Sequence, residues 1–105
     1  MPDRAYVVLM RVDLHFPQAG SLKGKRAELN RVKALLRERL HTSVAEVDHQ
    51  DSWQRSTLAV AIAARSAALA QDTVDTVQRA LDGRFPQGVR IEWRLASWSD
   101  LESLG

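Results

Sequence analysis

The chain has 105 residues, of which 45% are hydrophobic and 27% charged, which is ordinary for one globular domain with its own core. The absence of cysteine excludes disulfides, thiolate catalysis and cysteine-based zinc sites, and the longest strongly apolar run, 58–64, is far short of the roughly 20 residues that span a bilayer. The net charge of +2 hides a concentration of positive charge, because residues 21–40 hold seven basic and two acidic side chains.

The N-terminal part predicts a strand followed by an amphipathic helix. Residues 5–15 alternate as in a strand, and their first half is apolar on both faces, which favours a central place in a sheet. Pro17 and Gly20 then mark a loop. Ser21 can accept from the free amides of a first helical turn and so predicts an N-cap. Residues 21–40 repeat apolar side chains at about 100° per residue, which gives one buried face.

The rest of the chain predicts three more strands and a second helix. In chain order these are an edge strand over 43–49, a strand over 57–64, a helix over 66–81 and a strand over 89–95. Gly83 predicts the end of the second helix. Trp93 lies on the apolar side of the last strand and is expected in the core. A closing helical turn is expected to pack three apolar side chains back on the body: Trp98, Leu101 and Leu104.

The order βαββαβ, with right-handed crossovers, predicts an α+β fold of the ferredoxin-like type. In this fold a four-stranded antiparallel sheet carries two helices on one face and leaves the other face open. The open face is predicted to contain Val7, Leu9, Ala59 and Ala61. Because an uncovered apolar patch usually has a partner, we expect a homodimer that uses part of this face or an edge strand.

Five basic residues of the first helix are candidates for binding nucleic acid; they are called the basic stripe and are Lys23, Lys25, Arg26, Lys33 and Arg37. Most of them follow helical spacing beside the apolar face, so they can meet successive phosphates. Lys25 falls towards the apolar side by its angle, and it can instead snorkel along the sheet edge or pair with a carboxylate. The alternative for the whole group is a solvated helix face.

A polar segment follows the second strand and contains the candidate partner-contact residues Asp48, His49, Gln50, Asp51 and Trp53. One histidine and two carboxylates suggest metal or acid–base chemistry, but consecutive strand side chains point to opposite faces and no second cluster completes a site. We interpret the segment as a turn held by its own hydrogen bonds, with partner contact as the alternative. Trp53 is either exposed or, as we favour, packed over the sheet end. No catalytic or metal-binding residue is assigned.

Two segments resemble a known family. They are SLKGKR at 21–26 and VAEVDHQDSWQ at 44–54, and they resemble the YlxP-like bacterial proteins, whose domain has unknown function. Gly24 departs from the family's usual Ser-Leu-Lys-Glu-Lys-Arg. The resemblance spans nearly the whole chain and implies a ferredoxin-like fold. Genes of this family often lie beside genes for translation and transcription factors, which implies a connection to RNA or the ribosome but no activity.

Two functions therefore compete. The first is a small non-enzymatic factor, without a small-molecule cofactor, that binds structured RNA or the ribosome through the basic stripe. The second is a protein-interaction or dimerisation module that acts through the open sheet face and the 48–54 loop. The start of the chain shows no signal-peptide pattern, so we expect a single cytoplasmic domain over residues 1–105 that makes no membrane contact.

Overall fold

The computed structural model describes residues 3–105 as a four-stranded antiparallel sheet with strand order β2-β3-β1-β4. In chain order the elements are β1 (Tyr6–His15), α1 (Leu22–Ala34), a π-helical turn (Leu35–Arg39), β2 (Ser43–Asp48), β3 (Arg55–Ala64), α2 (Ala67–Arg84), β4 (Arg90–Ser97) and α3 (Trp98–Glu102). The predicted ferredoxin-like α+β fold is confirmed. β1 is central and β2 is an edge strand, as their patterns indicated. None of the helices in residues 3–105 is long and apolar enough to cross a membrane.

The core lies between one face of the sheet and the two long helices. Alternate residues of β1 point into it, and the buried set continues through β3, α1 and α2; its fully buried members include Val8, Met10, Val12, Leu29, Val32, Leu36, Leu58, Val60, Val74, Val77 and Leu81. Each such aliphatic side chain stabilises the fold by about 1.5–3 kcal/mol relative to exposure. Trp93 lies opposite Met10 and packs against the core, but it is only half-buried because β4 is an edge strand.

The helix ends follow local chemistry. The Ser21 hydroxyl accepts from the Gly24 amide at 3.0 Å, which confirms the predicted N-cap. The prediction that α2 ends at Gly83 is wrong, since the helix continues to Arg84. Phe85 leaves the helical conformation, with φ −124° and ψ 76°. The residue after it is Pro86, and a residue before proline is disfavoured in the α region.

The C-terminal turn α3 exists, but the expectation that it packs apolar side chains on the body is wrong. Trp98 and Leu101 are exposed, and Leu104 is 82% exposed. The turn is instead held by polar contacts. Its N-cap, Ser97, forms a reciprocal pair of hydrogen bonds with Asp100, and the Trp98 amide donates to the carbonyl of Ala5 at 2.9 Å.

Candidate functional site

The basic stripe is anchored to the edge strand by one carboxylate. The Arg26 guanidinium donates to both oxygens of Glu46, at 2.6 and 2.9 Å. The Lys33 ammonium lies 3.7 Å from the same carboxylate. Glu46 stands opposite the core residue Leu58 in the β2–β3 register, so it faces the helix layer, and its side chain is only 12% exposed. The contact between α1 and β2 through Arg26, Lys33 and Glu46 is called the α1–β2 seam.

The π-helical turn adds a further basic contact at this edge. The Arg37 guanidinium donates to the carbonyl of Val44, on β2, at 2.7 Å. Lys23 lies at the opposite end of α1, is exposed, and makes no ion pair with any residue from 3 to 105. Two cations of the stripe, Arg26 and Lys33, therefore contact one carboxylate and Arg37 adds a third cation at the same edge, so 3 − 1 leaves a local charge of +2.

Lys25 does not belong to the exposed stripe, and its assignment as a phosphate-binding residue is corrected. The residue is 0% exposed. Its ammonium donates to the carbonyls of His49 at 2.9 Å, Arg55 at 3.0 Å and Gln50 at 3.4 Å. Burial lowers the pKa of Lys25 from its usual value, and the nearby Glu46 acts in the opposite direction. The partner is thus neither solvent nor a carboxylate but the backbone of the loop after β2 and of the first residue of β3.

That loop is a turn held by its own hydrogen bonds. The Asp48 carboxylate accepts from the His49 amide at 2.8 Å, and His49 adopts a left-handed conformation with φ 63°. The Ser52 amide donates to the His49 carbonyl at 3.1 Å. Gln50 and Asp51 are exposed. The favoured packing of Trp53 over the sheet end is wrong, since this side chain is 55% exposed.

The structure brings some candidates together and separates others. The Lys25 contacts join the start of α1 to the 48–54 loop, and the seam joins the middle of α1 to β2, the strand that leads into the loop. Sequence reasoning missed Glu46 as the partner of the stripe. The sequence pattern that could have identified Glu46 is an acidic residue in an edge strand, at a position whose side chain faces the helices. Among residues 3–105, no group of three His, Asp or Glu side chains is arranged to hold a metal ion.

The open sheet face has an apolar centre and a charged rim. Leu9 is 57% exposed and lies between Ala61 of β3 and Arg94 of β4. Towards the other end of β1, Arg11 stands opposite Glu92. Val7, Ala59 and the neighbouring alanines complete this face, as predicted from strand alternation.

Comparisons with known proteins give a family and a fold. The family model described as "Protein of unknown function (DUF503)" matches residues 7–93. The chain is 33% identical over 79 residues to "Uncharacterized protein YlxP" of Bacillus subtilis, a match that covers 71% of this chain and 85% of that protein. The resemblance inferred from the two sequence segments is confirmed.

Two solved structures are similar in backbone. "De novo designed protein Foldit4" has a TM-score of 0.55 at 14% identity, covering 88% of this chain and 96% of that one, and shows the fold alone. The 30S ribosomal protein S6 of Thermotoga maritima has a TM-score of 0.43 at 13% identity, covering 98% and 94%, which is too low to bear on function. By its family-model match over residues 7–93 and its identity to YlxP, this chain belongs to the DUF503 family, whose function is unknown.

Proposed function

We propose that this protein is a non-enzymatic cytoplasmic factor that binds structured RNA, alone or in the ribosome, through the outer face of α1 and the α1–β2 seam. The observation that supports it is the line of three cations that α1 and the π-helical turn place on β2: Arg26 and Lys33 contact Glu46, and Arg37 donates to the Val44 carbonyl. Glu46 neutralises one charge, and the remaining +2 is available to a polyanion. Lys23 and Arg39, both exposed, extend this positive surface to the two ends of the helical segment.

The ion pairs also prepare the arginines for phosphate. A free long side chain loses up to about 1.5–2 kcal/mol of conformational entropy when it is ordered. Arg26 is already held by Glu46 through a single nitrogen, so its other N–H groups can donate to phosphate without that full cost. Glu46 itself is shielded beneath the two cations and repels a phosphate less than an exposed carboxylate would.

The test must spare the residues that hold α1 on β2. Lys23→Glu with Arg39→Glu reverses two exposed charges that make no ion pair within residues 3–105. The matched control, Arg4→Glu with Arg79→Glu, makes the same change in net charge at two other exposed positions. Binding of both variants to ribosomal RNA is titrated at several salt concentrations, with thermal melts alongside.

The proposal predicts at least a tenfold loss of affinity at low salt for the α1 variant. The slope of log affinity against log salt should also flatten by up to roughly 1.8, since each phosphate contact contributes about 0.9. The control variant should lose much less. Equal losses in the two variants would show that only net charge matters, and unchanged binding would mean that α1 is a solvated face.

The open sheet face supports a second candidate, which is self-association with a second copy of this chain. Four strands about 4.8 Å apart and about eight residues long present roughly 500 Å² per protomer, so a two-fold pair buries about 1,000 Å², the lower limit for a specific interface. The rim carries both signs of charge, as in Arg11 and Glu92, so it can be complementary to its own two-fold image.

Sedimentation at micromolar concentration separates the two candidates, because this face should give a dimer that resists salt. Ala61→Asp should convert that dimer to a monomer while leaving the far-ultraviolet circular dichroism unchanged. A wild-type chain that sediments only as an 11.8 kDa species contradicts self-association. In that case the 48–54 loop, with Trp53 exposed, is the remaining candidate for contact with a different protein.

A further inference from the structure

A cavity of about 360 Å³ lies where the β1–α1 loop, one flank of α1 and the α2–β4 loop meet. This volume is within the range of about 300–1,000 Å³ typical of small-molecule sites. From α1 the cavity is lined by Gly24, Glu28 and Arg31. At about 100° per residue these positions lie on the flank of the helix opposite the seam residues Arg26 and Lys33. The cavity is therefore a surface separate from the seam.

The cavity has an apolar floor and walls that are already formed. Phe16 and Phe85, both buried, meet edge to face with ring centroids 5.5 Å apart, and Pro17 and Pro86 follow them at the rim. The Gln54 amide group donates to two carbonyls of the β1–α1 loop, at 3.3 and 3.4 Å. The α2–β4 loop is closed by a backbone hydrogen bond of 2.8 Å to the Phe85 carbonyl. Such a site needs little rearrangement to accept a ligand.

The charged part of the cavity is cationic. Arg31 and Arg84 share the Glu28 carboxylate, at 2.8 and 3.3 Å, so two positive charges face one negative charge. The hydrogen bond from Arg31, together with the charges of both arginines, lowers the pKa of Glu28, so this carboxylate is ionised at neutral pH. Each arginine contributes one nitrogen to Glu28, which leaves further N–H donors for an anion.

We propose that this cavity binds a nucleotide, with Arg31 and Arg84 on the phosphate and the base against Pro17 and Pro86, above the phenylalanine floor. Gln18 and Gln87 line the cavity and are exposed, and the side-chain amide of each offers both a donor and an acceptor, as the edge of a nucleobase requires. The ligand is either a free mononucleotide or one unpaired nucleotide of an RNA strand. This inference goes beyond RNA binding by α1, because it rests on different residues.

Binding is measured directly with nucleoside 5′-monophosphates by amide nuclear magnetic resonance. Gly20 and Gly24 line the cavity, and glycine amides are well separated in such spectra. Their signals should shift on titration with micromolar to millimolar nucleotide, whereas that of Gly105, which follows α3 at the opposite end of the sheet, should not. Inorganic phosphate and the uncharged nucleosides are titrated in parallel, and each should bind at least tenfold more weakly than the nucleotide.

Two variants then test the assigned contacts. Arg84→Gln should weaken nucleotide and phosphate alike by at least tenfold, while the matched Arg79→Gln, on the same helix but outside the cavity, should change neither. Gln18→Ala with Gln87→Ala should weaken nucleotide binding several-fold without changing phosphate binding, since it removes only contacts to the base. All these residues are exposed, so the fold should persist.

A single-stranded tetranucleotide RNA shows whether the ligand is a free mononucleotide or an unpaired nucleotide of an RNA strand. If it shifts Gly20 and Gly24 at lower concentration than the monomer, the ligand is part of an RNA strand; if the monomer binds as well or better, the ligand is a free nucleotide. No shift with either probe overturns the proposal, as does phosphate binding as tightly as the nucleotide. Charge reversal at Lys23 and Arg39 should not alter mononucleotide binding. The nucleotide titration therefore tests the cavity even if α1 does not bind RNA.

Discussion

The buried ammonium of Lys25 gives the sharpest test of how this structure is held together. Lys25→Met keeps the length and most of the apolar stem of the side chain but removes the group that donates to the carbonyls of His49, Gln50 and Arg55. Hydrogen bonds to a charged donor contribute about 1.5–3 kcal/mol each. Two effects make the net loss of stability smaller than the sum of these three hydrogen bonds. First, methionine carries no charge, so the variant avoids the cost of burying an ammonium, the same burial that lowers the Lys25 pKa. Second, water can hydrate part of the carbonyls that lose their donor.

We therefore expect Lys25→Met to lower the free energy of unfolding by about 2–4 kcal/mol, less than three full hydrogen bonds. The measurement is urea unfolding followed by circular dichroism, with hydrogen exchange of the Ser52 amide, which donates to His49 in the same loop. Lys23→Met is the matched control two residues away, and because Lys23 is exposed it should change stability by no more than about 0.5 kcal/mol. A loss below about 1 kcal/mol for Lys25→Met, or unchanged protection of Ser52, would refute the reasoning.

Three more outcomes are expected. Glu46→Gln should lower the free energy of unfolding by about 1–2 kcal/mol, because Arg26 loses a charged partner. The same variant should bind RNA more tightly if α1 is the binding surface, and weaker binding by the folded variant would contradict that. The lowered pKa of Glu28 means that its pairing with Arg31 stabilises the fold above pH 4.5, its usual pKa, and that this contribution is lost as pH falls below it. Glu28→Gln should therefore flatten the decline of urea stability below pH 4.5, and identical profiles would exclude this linkage. Trp93→Ala should cost about 1.5–3 kcal/mol in the same unfolding assay, less than a fully buried tryptophan would, and a loss above about 4 kcal/mol would place Trp93 inside the core.

The sequence predicted what depends on local periodicity. Alternation assigned the faces of β1, β3 and β4, including the open one, and helical spacing placed Leu29 and Val32 in the core. The same angle directed Lys25 towards the interior, although the sequence offered no reason to expect backbone carbonyls as its partners. The end of α2 could also have been predicted from the proline after Phe85, because a residue before proline is disfavoured in the helical conformation; the prediction relied on Gly83 instead.

The remainder depended on contacts between distant parts of the chain. Arg26 and Glu46 are 20 residues apart, and their pairing follows from how far α1 lies along β2, which no periodicity encodes. The cavity is built from three segments, and neither its volume nor the sharing of Glu28 by two arginines can be read from any one of them. The hydrogen bond from the Lys25 ammonium to the His49 carbonyl likewise joins residues 24 positions apart.

The strand order has a consequence for how the chain folds. β1 comes first in the sequence, yet its two neighbours in the sheet come much later: Tyr6 pairs with Ala64 of β3 and with Ser97 of β4. A nascent chain therefore carries an unpaired strand, apolar on both faces at its start, until most of the domain has been made. During that interval β1 has exposed hydrogen-bonding edges on both sides and can pair with another chain. The helix that packs on β1 is α2, which follows β3 in the sequence, so β1 gains its helix partner late as well. We therefore expect β1 to be the segment most prone to aggregate during synthesis.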